Sequence, residues 1–165
     1  MKRGANKFLA ILAAIGLLGA LSGCGFQLRG QAQLPFAAAY VDAPAGSALG
    51  EGLRRSLTSQ NKLAANSEGA PVRIKVSPEM RGKSILSLSG AGKVKEYRLE
   101  YRAELSAFNA AGAELLAPST IHLTREFSYN DDQVLAKAGE EAYLNRSMEQ
   151  DALRQALRRL SYIAR

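Results

Sequence analysis

The sequence holds one cysteine, one histidine, no tryptophan and five phenylalanines in 165 residues. A lone cysteine excludes a disulfide framework. One histidine with no second cysteine excludes a zinc site, which needs three or four such ligands. Nothing in the composition calls for another cofactor. With 47% hydrophobic and 22% charged residues the chain is too apolar to be disordered. It also has no repeat and no low-complexity segment. Its longest apolar run, Phe8 to Leu21, is too short to cross roughly 30 Å of hydrocarbon comfortably.

That run is instead the right length for a secretory leader, because Lys2, Arg3 and Lys7 precede it. It ends in Leu21-Ser22-Gly23-Cys24, which resembles the bacterial lipobox, where a small residue precedes a cysteine that is lipidated and becomes the mature N-terminus. The expectation is a lipoprotein signal peptide over residues 1–23, lipidation at Cys24 and one domain over 24–165. The 142 residues that remain suffice for a core, since a domain of that size hides roughly 68 to 70% of its unfolded surface. Acyl chains buried at about 0.8 kcal/mol per methylene make the anchor effectively permanent. Gly25 stands where inner-membrane retention usually wants Asp, which points to the outer membrane and the periplasm.

Loss of the leader takes the net charge from +7 to +4. The positive charge is concentrated: Val72 to Arg102 holds eight Lys or Arg against three Glu. Such a patch on an exported, membrane-tethered domain favours anionic partners, and there the abundant anion is phosphorylated lipid, not nucleic acid. A solvated sheet face accounts for the same charges.

Ser47 can cap a helix in which Leu49, Leu53 and Leu57 recur every four residues, with Glu51 in its first turn. Val72 to Val76 alternates apolar and polar, and so does the longer stretch carrying Tyr97, Leu99, Tyr101, Ala103 and Leu105. Ile121, Leu123, Phe127 and Tyr129 share one face of a further strand, opposite Thr120, His122, Thr124 and Glu126. Gly25 to Gly30 predicts a short strand or an extended tether, Ala37 to Val41 a weak strand, and Leu86 with Leu88 a strand that enters a Gly90-Ala91-Gly92 hairpin. After Asn130, Asp131 and Asp132, read as a cap and acidic first turn, Leu135, Ala138, Ala142, Leu153, Ala156, Leu157 and Leu160 predict one long amphipathic helix. Asn145 and Glu149 interrupt its apolar stripe, so the helix bends there or meets a polar partner. The predicted fold is α+β, a two-layer sandwich in which a mostly antiparallel sheet of about four strands carries two helices on one face.

Catalytic readings fail on their residues. Gly90-Ala91-Gly92-Lys93 resembles a phosphate loop, but Ser87 occupies the upstream glycine position and a strand follows where a helix is required. His122 falls on the wet face of its strand with no nucleophile signalled beside it. A helix N-terminus explains Asp131 and Asp132, and a solvated face explains Glu140 and Glu141.

The lipobox followed at once by Gly25-Phe26-Gln27-Leu28-Arg29-Gly30, then Lys95-Glu96-Tyr97, Arg125-Glu126-Phe127 with Asn130, and Leu135-Ala136-Lys137 together resemble the LptE family of lipopolysaccharide-assembly lipoproteins. The resemblance implies a non-enzymatic plug for the lumen of the LptD β-barrel, which inserts lipopolysaccharide into the outer leaflet. It also implies contacts from basic residues to lipopolysaccharide phosphates. Lys137 matches the family's position near the start of the last helix. Gly90 stands where relatives can carry arginine in the hairpin, with Lys93 as the nearby substitute. The alternative is a free-standing periplasmic lipoprotein that binds an anionic lipid or glycan. A carrier of that kind needs an apolar cavity rich in large side chains, and a chain without Trp is lean for one.

Overall fold

The computed structural model describes residues 33–163. The expected leader, Cys24 and the Gly25 to Gly30 segment lie outside them. Strands β1 (Ala39–Asp42), β2 (Val72–Val76), β3 (Met80–Leu88), β4 (Val94–Asn109) and β5 (Glu114–Ser128) form one sheet. Helices α1 (Ala48–Ser59) and α2 (Val134–Ser161) cover one of its faces. The α+β two-layer sandwich expected from the sequence therefore forms, with one strand more than anticipated and with β1 and β2 parallel.

Alternation explains why these segments pair as they do. The even residues Val72, Ile74 and Val76 of β2 and the odd residues Leu99, Tyr101, Ala103 and Leu105 of β4 are buried, while their neighbours are mostly polar and exposed. A one-residue slip would turn either set to water, so burial fixes the register. Each fully buried aliphatic side chain contributes about 1.5 to 3 kcal/mol. The core joins these residues to Leu49, Leu53 and Leu57 of α1, to Ile121 and Phe127 of β5, and to Met148, Ala152, Ala156 and Leu160 of α2. Gly52 lets the helices approach closely, since a Cβ there would lie 3.0 Å from Leu153. Ser47 caps α1 as expected, its Oγ accepting from the Gly50 amide at 2.8 Å.

One irregularity organises the rest. Strand β4 pairs with β5 along one edge and with β2 and then β3, end to end, along the other. Between Val76↔Leu105 and Met80↔Arg102 the first chain advances four residues and β4 only three. This is a bulge at Ser77-Pro78-Glu79, where Pro78 has no amide to leave unpaired and Ser77 Oγ accepts from the Glu104 amide at 2.8 Å. The extra residue reverses the parity of β3. Arg81 and Lys83 now stand opposite the buried Tyr101 and Leu99, on the helix side of the sheet.

The bulge also aims Glu79 at α1. Its carboxylate, with a side chain only 7% exposed, accepts from Ser47 Oγ at 2.6 Å and from the Leu49 amide at 3.0 Å. This adds a second cap to the helix N-terminus, where negative charge is favoured. Buried Tyr101 stands beside it with a hydroxyl that has no hydrogen-bond partner. Burial, and then the neighbouring Glu79, push that hydroxyl far above the ordinary phenol range, so it stays protonated.

Helix α2 departs from its sequence reading in two ways. Asn130 caps a 3-10 turn at Asp131–Gln133 instead of the helix itself, its side chain accepting from the Asp132 amide. Of the residues expected on the apolar stripe, Ala156 and Leu160 are buried, Leu153 and Leu157 are half-buried, and Leu135, Ala138 and Ala142 are exposed, while Met148 and Ala152 complete the buried face. A helical period shows which residues share a face, but in the first turns the side that meets the sheet is the one carrying Lys137, Glu141 and Leu144, which leaves Leu135, Ala138 and Ala142 to solvent. The polar interruption is met by the chain itself, because Glu149 pairs with Arg81 at 3.0 Å and Asn145 donates to the Glu141 carbonyl at 3.1 Å. The helix is continuous from Val134 to Ser161.

Candidate functional site

The two lysines singled out by the sequence come to one end of the sandwich. There the β3–β4 hairpin, the end of β5 and the start of α2 meet. The hairpin closes through Ser89, whose amide donates to the Lys93 carbonyl at 2.7 Å and whose Oγ accepts from the Lys93 amide at 3.1 Å. Gly92 supplies the positive φ of 75° that the turn requires. Lys93 thus projects from a tip, its side chain 73% exposed, with Asp131 as a carboxylate neighbour at 3.6 Å.

Lys137 is not the freely exposed lysine that its helical position suggested. Its side chain is only 14% exposed. It turns towards β5, where Nζ donates to Ser128 Oγ at 3.1 Å and to Glu140 at 2.9 Å. A helix wheel places it on the polar side, yet that side leans over the last residue of β5. The lysine is therefore a tie between helix and sheet as well as a positive charge at the mouth of the site.

Sequence reasoning missed two further cations. Lys83 pairs with Glu141 at 2.5 Å, its ammonium 4.2 Å from the centre of the Tyr97 ring, which stacks on Phe127 and meets Tyr129 edge to face. Arg81 pairs with Glu149. Asn145 and Glu149 in the helical stripe were the signal for a polar partner; its identity required the bulge. Around these charges Ile85, Leu88, Val134 and Leu135 are exposed, Leu135 at 89%. Cations rimmed by apolar side chains can hold an amphiphile by its phosphate. His122 sits on the other, uncovered face of the sheet, exposed beside Arg102.

The α+β sandwich with two helices on one face of the sheet is a fold shared with solved structures of lipoproteins. The solution structure of an uncharacterized lipoprotein B from Nitrosomonas europaea superimposes with a TM-score of 0.70 at 41% identity, over 83% of this chain and 90% of that one. The crystal structure of a minor lipoprotein from Acinetobacter baumannii shares the fold, with a TM-score of 0.62 at 21% identity over 78% and 93% of the two chains. The LPS-assembly lipoprotein LptE of Photorhabdus laumondii is 27% identical over 161 residues, covering 94% of this chain and 86% of its own. The sequence model of LptE, described as lipopolysaccharide-assembly, matches residues 33–160. The chain belongs to the LptE family of LPS-assembly lipoproteins.

Proposed function

We propose that the chain loses residues 1–23, is lipidated at Cys24, and plugs the lumen of an LptD β-barrel in the outer membrane as a single 24–165 domain. There it helps deliver lipopolysaccharide to the outer leaflet, with Lys93 and Lys137 as contacts for its phosphates. It does no covalent chemistry. The observation that carries this reading is the family match over residues 33–160, combined with a sheet face that neither helix of the described residues covers and that is polar throughout its centre. Glu100, Arg102, Glu104, His122, Thr124 and Glu126 all stand exposed there, as a largely polar barrel lumen requires. A free-standing acyl carrier would need an apolar chamber. The clefts at the helix–sheet seam and between the helices are instead shallow and carry charged side chains, Arg81, Lys83 and Glu141 in the first and Glu51, Arg55, Arg146 and Glu149 in the second.

Charge reversal separates contact from scaffold. A partly desolvated lysine–phosphate contact is worth on the order of 1.5 to 3 kcal/mol, or roughly 10- to 150-fold in affinity. Lys93→Glu should weaken lipopolysaccharide binding by about that factor and leave the melting temperature unchanged, because its side chain is mostly exposed. Lys137→Glu should weaken binding and lower the melting temperature too, because it also breaks the ties to Ser128 and Glu140. Affinity measured at two salt concentrations alongside thermal melts checks both. Wild-type binding by the double variant would remove the phosphate contact from the proposal.

A further inference from the structure

The first turns of α2 are tied to the sheet chiefly by charge, with half-buried Leu144 the one apolar side chain from Val134 to Ser147 that packs against the core. No residue from Val134 to Ser147 is buried, and every residue of β3 is exposed or half-buried. Three ion pairs cross the gap in step: Lys93 to Asp131 at 3.6 Å, Lys83 to Glu141 at 2.5 Å, and Arg81 to Glu149 at 3.0 Å. In each the cation comes from β3 or its hairpin, and the carboxylate comes from α2 or the turn that leads into it. A uniform polarity over three successive levels is what a releasable seam needs. Exposed ion pairs hold weakly and are screened by salt. A phosphate offers more charge and more acceptor oxygens than a single carboxylate and competes for the same cations.

We propose that this seam is a clasp opened by polyanions: a polyphosphorylated ligand that takes the place of Asp131 and Glu141 on Lys93 and Lys83 frees the start of α2 from β3. The ligand's chemistry rests on the reading of Lys93 as a phosphate contact. Lys83 keeps its place when Glu141 leaves, because the Tyr97 ring supports its ammonium from below. The buried residues Met148, Ala152, Ala156 and Leu160 hold the remainder of α2 in position, so opening is confined to the turns before them.

Amide hydrogen exchange of the full-length protein in neutral detergent tests this without lipopolysaccharide. With inorganic tripolyphosphate as the probe, amides 134–144 should exchange about 3- to 10-fold faster than in sodium chloride of the same ionic strength, while the centres of β4 and β5 stay unchanged. Lys83→Glu should give the same acceleration without probe, and the exchanged pair Lys83→Glu with Glu141→Lys should restore wild-type protection. Equal exchange in tripolyphosphate and chloride overturns the clasp, and so does a swapped pair no better protected than the single variant. If a variant also loses protection in β4 and β5, it is globally unstable, and the wild-type probe comparison decides. A protein that opens with tripolyphosphate yet binds no lipopolysaccharide keeps its clasp and loses only the assignment of the ligand.

Discussion

Leu99→Ala should cost about 2 to 5 kcal/mol of stability, whereas Arg98→Ala, one residue away, should cost well under about 1 kcal/mol. Leu99 is 1% exposed in the middle of the core. Its removal loses transfer free energy and leaves a void that β4, paired on both edges, cannot collapse to fill. Arg98 points to the opposite face and pairs with Glu126 at 2.8 Å in a half-exposed bridge, a kind of contact worth little in water. Urea melts of the two variants make the comparison. Equal losses would contradict a sheet with one dry and one wet face.

Glu79→Ala should cost about 1 to 3 kcal/mol, more than removal of an exposed carboxylate. The loss leaves the Leu49 amide without its acceptor and Ser47 Oγ without its own. Glu79→Gln should recover part of the stability, because an amide oxygen still accepts from Leu49 although it brings no charge to the helix N-terminus. Glu100→Ala, on the exposed face of β4, is the control and should change stability by about 0.5 kcal/mol or less. If Glu79→Ala matches that control in urea, the bulge does not support α1.

The two positions differ in how far their roles could be read from sequence. Leu99 announces itself, because strict alternation over Tyr97 to Leu105 has one explanation, a strand with one buried face. The same holds for Val72 to Val76, and the capping serine with leucines every fourth residue marks α1 as clearly. Glu79 gives no such signal: it sits in an irregular stretch whose purpose is visible only once Val76↔Leu105 and Met80↔Arg102 are both known. Most of β3 is hidden for the same reason. From Met80 to Ser84 neither face is apolar, so the alternation has nothing to mark.

At the cationic end, Lys93 was legible because a Gly-rich turn must expose its tip. Lys137 was legible as a charge but not as a half-buried tie, since its contact with Ser128 depends on how far β5 extends beneath the helix. Leu135 misled in the opposite direction. It lies on the stripe that Leu153 continues, but in the first turns the side that meets the sheet is that of Lys137 and Glu141, which leaves Leu135 more exposed than any other large apolar side chain among the described residues. Periodicity reports orientation within an element; burial depends on whether a second element lies opposite.

The plug assignment is tested most directly by mild detergent extraction of outer membranes, followed by electrophoresis of unheated and heated samples and detection of this chain. The expected result is one unheated complex that contains this chain and a large β-barrel and that separates into two components on heating. Migration of this chain alone in unheated samples, with the barrel intact in the same extract, would contradict it.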